Sequence, residues 1–267
     1  MGLTRVNVLK GFSRRSYKAR FLGAHSPRAA AISDPGFFGK NKRTETQMRL
    51  FEEVTYDQQK ALFEAGKICT FPNRATLIRQ NDPPNGIFII LSGIVESVFF
   101  SDAGRDLKLA RWTKNDFVGA PHIFGSVPQR WSACAFGPVE ALHLGQVSLR
   151  RVIAQDAGLA ETLIICLGYK GERYSKLAQD LAFHTVSERL ALALVAFADH
   201  EDCPPLRGIS PLELSREIGS TRQAVGAILK SYEKEGLVSR RRDQVSVLDV
   251  PKLREIAGLK PDPALRQ

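Results

Sequence analysis

The sequence predicts an α+β chain made of an N-terminal β-roll, one long helix and a C-terminal winged helix-turn-helix. Three observations carry this. Short Val-, Ile- and Phe-rich runs separated by turn residues occupy Leu50 to Gly145, the apolar period then lengthens to that of a helix over 157–184, and two helix-opening signatures follow at Ser210 and Ser220. The expected division is a basic leader over 1–45, a β-roll over 46–156, a long helix over 157–185, a winged helix-turn-helix over 186–257 and a tail over 258–267.

The leader comes first in the chain and accounts for most of its charge. The 267 residues hold 38 Lys+Arg against 28 Asp+Glu, a formal net charge of +10. Residues 1–44 contain ten of the basic residues and a single acid, Asp34, so the remainder has 28 basic and 27 acidic groups and is nearly neutral. The overall basicity is therefore no argument that the folded part binds nucleic acid. The leader lacks the apolar stretch of a secretory signal, and Val6 stands where a myristoylation signal wants Ser or Thr. It reads as a flexible basic arm, or as sequence upstream of a start at Met48, in preference to an organelle transit peptide.

The longest apolar runs, such as Ile87–Leu91 and Leu190–Ala198, fall short of the roughly 20 residues a membrane-crossing helix needs, so no membrane partner is expected. Cys69, Cys134, Cys166 and Cys203 are widely spaced, the usage of a reducing compartment, and a cytoplasmic location is expected. Neither these nor the five histidines form a metal-ligand spacing.

In the roll, Asn85-Gly86, Ser92-Gly93, Asn115-Asp116 and Gly137-Pro138 mark turns between strands. Val98-Phe99-Phe100, then Asp102-Ala103-Gly104, then Leu107 and Leu109 predict a hairpin. Next, Leu163, Leu167, Tyr174, Leu177 and Leu181 fall on one stripe of the long helix, with Lys170 and His184 at the remaining heptad places. Such a stripe suits a seam between two subunits, and Gly168 and Gly171 each weaken the helix by up to about 1 kcal/mol relative to alanine.

Beyond Val186 helices dominate. Ser187 to His200 forms an apolar helix with Leu190, Leu194 and Phe197 on its face. Ser210-Pro211-Leu212-Glu213 opens another, with serine as N-cap, proline at the first helical position and glutamate closing a capping box. That helix stops at Gly219, and Ser220 with Gln223 repeats the signature for a helix that runs to Gly236. Two capped helices joined by a short glycine-containing turn are a helix-turn-helix.

In its second helix, Val225, Ile228, Leu229 and Tyr232 make the buried face, so Arg222, Gln223, Gly226, Ala227 and Lys230 point outward, with Ser220 and Thr221 at the entry. Arg can bond guanine and Gln adenine in a major groove, which makes double-stranded DNA the expected partner. Leu237 to Val247 reads as a two-stranded wing whose Arg240, Arg241 and Arg242 can meet phosphates. Seven basic and three acidic residues lie between Arg216 and Arg242, a local excess within the neutral body.

This order of elements, with Asn115-Asp116-Phe117-Val118-Gly119, the hinge from Leu181-Ala182-Phe183 through Arg189, and the segment Ile218 to Lys230, resembles the CRP/FNR family of bacterial transcription regulators over roughly residues 50–255. The first segment is similar to the family's G-D-x-x-G turn, and the last, the most specific, to its recognition segment. The resemblance implies a cyclic-nucleotide-binding-like roll and a homodimer on a two-fold symmetric DNA site, with RNA polymerase as a further partner if the protein activates transcription. Arg222 matches the family's base-reading arginine, whereas Gln223 replaces an acid and Ala227 a basic residue, which predicts a shifted consensus.

The resemblance also indicates where an effector would sit: at Gly119, Ala120, Arg130, Trp131 and Ser132 in the roll, and at Tyr174 and Ser175 on the long helix. Several departures stand out. Ala120 replaces the acid that holds the ribose and Pro121 removes a backbone donor, while Trp131 displaces the small hydroxyl residue that follows the phosphate arginine and Ser132 comes one place late. Cyclic AMP, another small effector and no ligand at all remain open. Residues 1–68 contain no cysteine, so the family's iron-sulfur mode is excluded.

Two other classes stay as rivals. A cupin-type metalloenzyme would need an H-x-H pair, and His122 and His143 do not make one; no nucleophile-and-base constellation appears either, so an enzyme is not expected. A cyclic-nucleotide receptor module without a DNA role is opposed by the helix-turn-helix.

Overall fold

The computed structural model describes residues 49–101, 106–119, 124–199, 209–241 and 244–259. The leader, the turn Asp102-Ala103-Gly104, Ala120, Pro121, His122, His200, Cys203, Arg242 and most of the tail lie outside them. The chain divides into two compact units, one running to Ser97 and resuming over Arg111–Glu172, the other comprising Val98–Ala110 and everything from Arg173 onward. The boundary thus falls inside the long helix, and a piece of the roll's hairpin is grouped with the C-terminal unit.

The first unit opens on two helices where the sequence reading expected only strands: α1 (Leu50–Glu53) and α2 (Tyr56–Ala65). Their signal is Thr55, whose hydroxyl accepts from the Gln58 amide while Gln58 bonds back to the Thr55 N–H, a complete capping box. The strands follow as β1 (Lys67–Phe71), β2 (Thr76–Ile78), β3 (Ile87–Phe100), β4 (Asp106–Trp112), β5 (Phe117–Val118) and β6 (Ser132–Leu144). They make one six-stranded sheet in the order β1-β6-β3-β4, with β2 also on β6 and β5 on β3. β1 and β6 run antiparallel, Lys67 opposite His143 through Phe71 opposite Val139.

Two further helices, α3 (Gln146–Gln155) and α4 (Ala157–Phe183), follow the sheet. Leu149 and Val152 of α3 and Leu159, Leu163 and Cys166 of α4 join Leu50, Leu62, Ile87, Ile89, Leu91, Phe117, Leu142 and Leu144 in one core. Burial pushes the Cys166 thiol up to about 11, so it packs as an inert small apolar group. Among the described residues no single helix is long and apolar enough to cross a membrane.

The second unit has its own core. It contains α5 (Val186–Asp199), α6 (Pro211–Glu217), α7 (Arg222–Lys234), the hairpin β7 (Val238–Arg241) with β8 (Gln244–Val247), and α8 (Val250–Ile256). Leu190 and Leu194 of α5, Leu214 and Ile218, Val225, Leu229 and Tyr232 of α7, Val238, Val245 and Leu253 are buried together, with Phe197 packed against them. The last helix was not read from the sequence, although Asp249 caps it through the Lys252 amide and Pro251 stands in its first turn. It packs on α5.

Candidate nucleic-acid interface

The helix-turn-helix is built by its caps. Ser210 accepts from the Glu213 amide at 3.1 Å, and the Glu213 carboxylate accepts from the Ser210 N–H at 3.0 Å, so α6 begins on the expected capping box. It ends on Gly219, whose φ of +62° is the left-handed conformation that glycine takes without penalty. The Ser220 N–H then donates to the Ser215 carbonyl at 2.9 Å.

The Ser220 N–H thus closes α6, whereas the N-cap of α7 is Thr221, whose hydroxyl accepts from the Ala224 amide at 3.1 Å. The expected box between Ser220 and Gln223 is not how α7 begins, and the helix starts one residue later, at Arg222. Thr221→Ala is therefore expected to destabilise the C-terminal unit by about 1 kcal/mol, and Ser220→Ala by clearly less; thermal melts of the two variants rank them.

α7 closes on a Schellman arrangement at Gly236, with the Gly236 amide bonded to Glu233 and the Leu237 amide to Tyr232. Its inner face carries Val225, Leu229 and Tyr232, all buried. The Tyr232 hydroxyl donates to the Ser187 carbonyl at 2.9 Å, which pins α7 to α5. On the outer face Thr221, Arg222, Gln223, Ala227 and Lys230 are exposed, and Ser220 and Gly226 are half-buried. A Cβ added at Gly226 would project into open space, so the face there is flat and unobstructed.

The wing is anchored to this helix. The Arg240 amide donates to the Glu233 carboxylate at 3.1 Å, β7 and β8 pair from Val238 opposite Val247 to Arg241 opposite Gln244, and Ile209 adds a bridge to Val245. Arg241 is exposed and Arg240 half-buried. The unit therefore presents a capped helix N-terminus with an arginine and a glutamine beside it, and a basic hairpin next to it. Such a surface can place side chains on base edges while the wing meets phosphates.

The hinge has a residue whose role the sequence did not reveal. Arg189 donates from Nε to the Ile218 carbonyl at 3.0 Å and from Nη1 to the His184 carbonyl at 2.7 Å. One guanidinium thereby satisfies the free carbonyl ends of α6 and of the segment just past α4.

The residues of the roll expected at an effector site are less well arranged. Gly119 has φ +99°, and a Cβ there would lie 2.5 Å from the Gly86 carbonyl oxygen, so glycine is required for packing. Asp116 is buried and accepts from the Thr113 amide at 3.0 Å, a turn-building role, and Asn115 takes the left-handed φ of +74°. Arg130 is exposed and Trp131 half-buried. Ser132 is buried with its hydroxyl accepting the Gln80 amide at 2.9 Å, so that oxygen already holds two segments of the roll together. In the second unit, Tyr174 is half-buried and Ser175 exposed.

The long helix also turns differently from the expected seam. Leu163 is 4% exposed inside the roll's own core, with Leu167 packed against the same cluster, so Leu163 is unavailable to a second subunit. Lys170, expected at a heptad place of the seam, is 7% exposed: its ammonium lies 3.4 Å from the Trp112 ring centroid and 4.6 Å from that of Phe117. Trp112 in turn donates its indole N–H to Ser97 at 2.8 Å. Tyr174, Leu177 and Leu181 are half-buried, whereas Ile164, Ile165, Gly168, Gly171 and Phe183 are exposed.

Comparison with known proteins bears on both units. A family model described as the cyclic nucleotide-binding domain matches residues 68–156, and one described as the Crp-like helix-turn-helix domain matches residues 188–256. The chain is 28% identical over 176 residues to the cAMP-activated global transcriptional regulator Vfr of Pseudomonas aeruginosa, covering 62% of this chain and 81% of that one. It is 25% identical over 210 residues to a CRP-like cAMP-activated global transcriptional regulator of Mycobacterium tuberculosis, covering 76% and 94%. Among solved structures, the c-di-GMP-responsive global regulator CLP of Xanthomonas campestris shares the fold, with a TM-score of 0.67, 22% identity, and 72% and 99% of the two chains covered.

Proposed function

Because the chain belongs to the CRP/FNR family of transcription regulators, we propose that it works as a non-catalytic homodimer in the bacterial cytoplasm. In this reading it binds a two-fold symmetric DNA site through α7 and the wing, and the roll senses an effector. The observation that carries the reading is the outer face of α7: Arg222, Gln223, Ala227 and Lys230 are exposed beside a capped helix N-terminus, while Val225, Leu229 and Tyr232 on the opposite face are buried in the unit's core. Arg222 and Gln223 read bases, Gly226 and Ala227 leave room for the base pairs to approach, and Lys230, Arg240, Arg241 and Arg242 meet phosphates. An activator of this kind also touches RNA polymerase.

The two subunits join along α4, by the face that its own roll leaves uncovered. Ile164, Gly168, Gly171, Ser175, Ala178 and Ala182 are exposed and follow one another at spacings of four and three, the heptad rhythm of a parallel helix pair. A Cβ added at Gly168 or Gly171 meets nothing, so a second helix can approach this face closely. Tyr174, Leu177 and Leu181 flank it.

For the effector, the relatives' names point to cyclic AMP or c-di-GMP. The residues here favour a ligand other than cyclic AMP: Ala120 offers no acceptor to a ribose, and Trp131, in place of a small hydroxyl residue, follows the exposed Arg130. The site proposed for it comprises Gly119, Ala120, Arg130, Trp131, Ser132, Tyr174 and Ser175.

The test is selection of DNA from a pool of randomised duplexes by the purified full chain, alone and with cyclic AMP or c-di-GMP. Recovery of a palindrome that differs from the cyclic-AMP receptor's consensus is expected. A pool that stays random under all three conditions removes the DNA-binding reading.

A further inference from the structure

The β3–β4 hairpin carries two ion pairs that no DNA contact requires. Within the C-terminal unit, the strand start Asp106-Leu107-Lys108 lies against the helix-turn-helix. The Asp106 carboxylate pairs with Arg216 of α6 at 2.8 Å, and the Lys108 ammonium pairs with Glu217, the next residue along. Asp106 and Lys108 alternate along a strand with Leu107 between them, and their partners are adjacent in α6. The pairs are thus crossed in sign, acid to base and base to acid, so only one register satisfies both.

Between the two pairs sits an apolar contact. A Cβ built on Gly219 would lie 2.8 Å from a Leu107 methyl and 3.1 Å from a Leu181 methyl, so the turn of the helix-turn-helix is closed over by the hairpin on one side and the end of α4 on the other. Lys108 is 10% and Asp106 20% exposed at the side chain, against 29% for Glu217 and 46% for Arg216, so the strand halves of the pairs are partly shielded from the screening that weakens open surface pairs. Arg189 fastens the same turn from the hinge, through the Ile218 carbonyl. All of these contacts fall on α6 and the turn, and the outer face of α7 stays uncovered.

We propose that the hairpin is a brace that positions the helix-turn-helix for DNA: Asp106, Leu107 and Lys108 hold α6 and the Gly219 turn in the orientation from which α7 reads its site. Lys108 and Glu217 are positioning residues, acting through α6 and touching no base. This rests on the reading that α7 binds DNA.

The pairs can be tested by exchanging their signs in the full chain. Lys108→Glu and Glu217→Lys change the net charge in opposite directions, and each should lower affinity for the selected palindrome by about tenfold, whereas the double exchange should restore it to within about threefold. Glu217→Lys adds positive charge to a DNA-binding unit, so a loss there has no origin in general attraction to phosphates. Should Glu217→Lys strengthen binding and Lys108→Glu weaken it, the residues act through net charge alone and the brace is refuted. Amide hydrogen exchange over 211–221 without DNA gives an independent reading: about tenfold faster exchange in each single variant, reversed in the double, is expected. Unchanged exchange refutes the brace even if DNA is bound, and a wild-type chain that selects no palindrome refutes the DNA reading while the exchange data still decide the brace.

Discussion

Replacing Arg222 with alanine is expected to cost about 1–3 kcal/mol of affinity for the selected site, a loss confined to one base pair of each half-site. Arg222 is the first residue of α7, exposed, and held at that place by the Thr221 cap and the Gly219 turn. A bidentate bond from a guanidinium to guanine discriminates by that amount because the wrong base leaves both donors unpaired. Selection with the variant should return the same palindrome with one position relaxed. Neutralising Arg240 or Arg241 should instead weaken specific and random duplexes alike and flatten the dependence of affinity on salt, since a phosphate contact carries no sequence information. Equal behaviour of the helix and wing variants would mean that base reading lies elsewhere.

On α4, a charge on the two faces should have opposite consequences. Leu163→Asp buries a carboxylate among Leu50, Leu159 and Cys166 and should cost more than about 4 kcal/mol, enough to unfold the roll. Gly168→Glu lies on the exposed face, where an added side chain meets nothing, and replacing a mid-helix glycine raises helix propensity by up to about 1 kcal/mol. The monomer should therefore stay folded while the dimer separates, seen as unchanged circular dichroism with halved mass in sedimentation. A Gly168→Glu protein of unchanged mass would place the subunit contact on another surface.

That contrast also marks how far the sequence could be read. Periodicity finds the helix over 157–184 because leucines recur at helical spacing, but it does not say what each stripe packs against. Two apolar stripes run along α4, one through Leu159, Leu163 and Cys166 into the roll and one through Ile164 and the glycines. The leucine stripe is the more apolar, and for that reason its own domain takes its first half. Lys170 follows the same logic: a lysine at a heptad place reads as a solvated flank, whereas in the fold Trp112 and Phe117 lie beneath it.

In the C-terminal unit local chemistry was more informative. Ser210 with Glu213, Gly219 and Gly236 each take the conformation their residue types favour, and the exposed face of α7 follows from them. At Ser220-Thr221 two successive hydroxyls offer a cap, and residue type alone does not choose between them: in the fold Thr221 holds the Ala224 amide, while the Ser220 N–H closes α6. The Thr55–Gln58 box and Asp249 are equally visible in the sequence, but the strand-like pattern around them masks the helices they cap.

The lysine over Trp112 makes the roll report on itself. The chain has two tryptophans, and Trp112 is 2% exposed, its indole N–H fixed on Ser97 and its ring face beneath an ammonium that comes from the long helix. A charge at that distance perturbs the excited state of an indole, so the protein's ultraviolet emission contains a signal for the seating of α4 on the sheet. A small molecule that shifts Lys170 relative to Trp112 is expected to alter that emission, with no label attached and no DNA present.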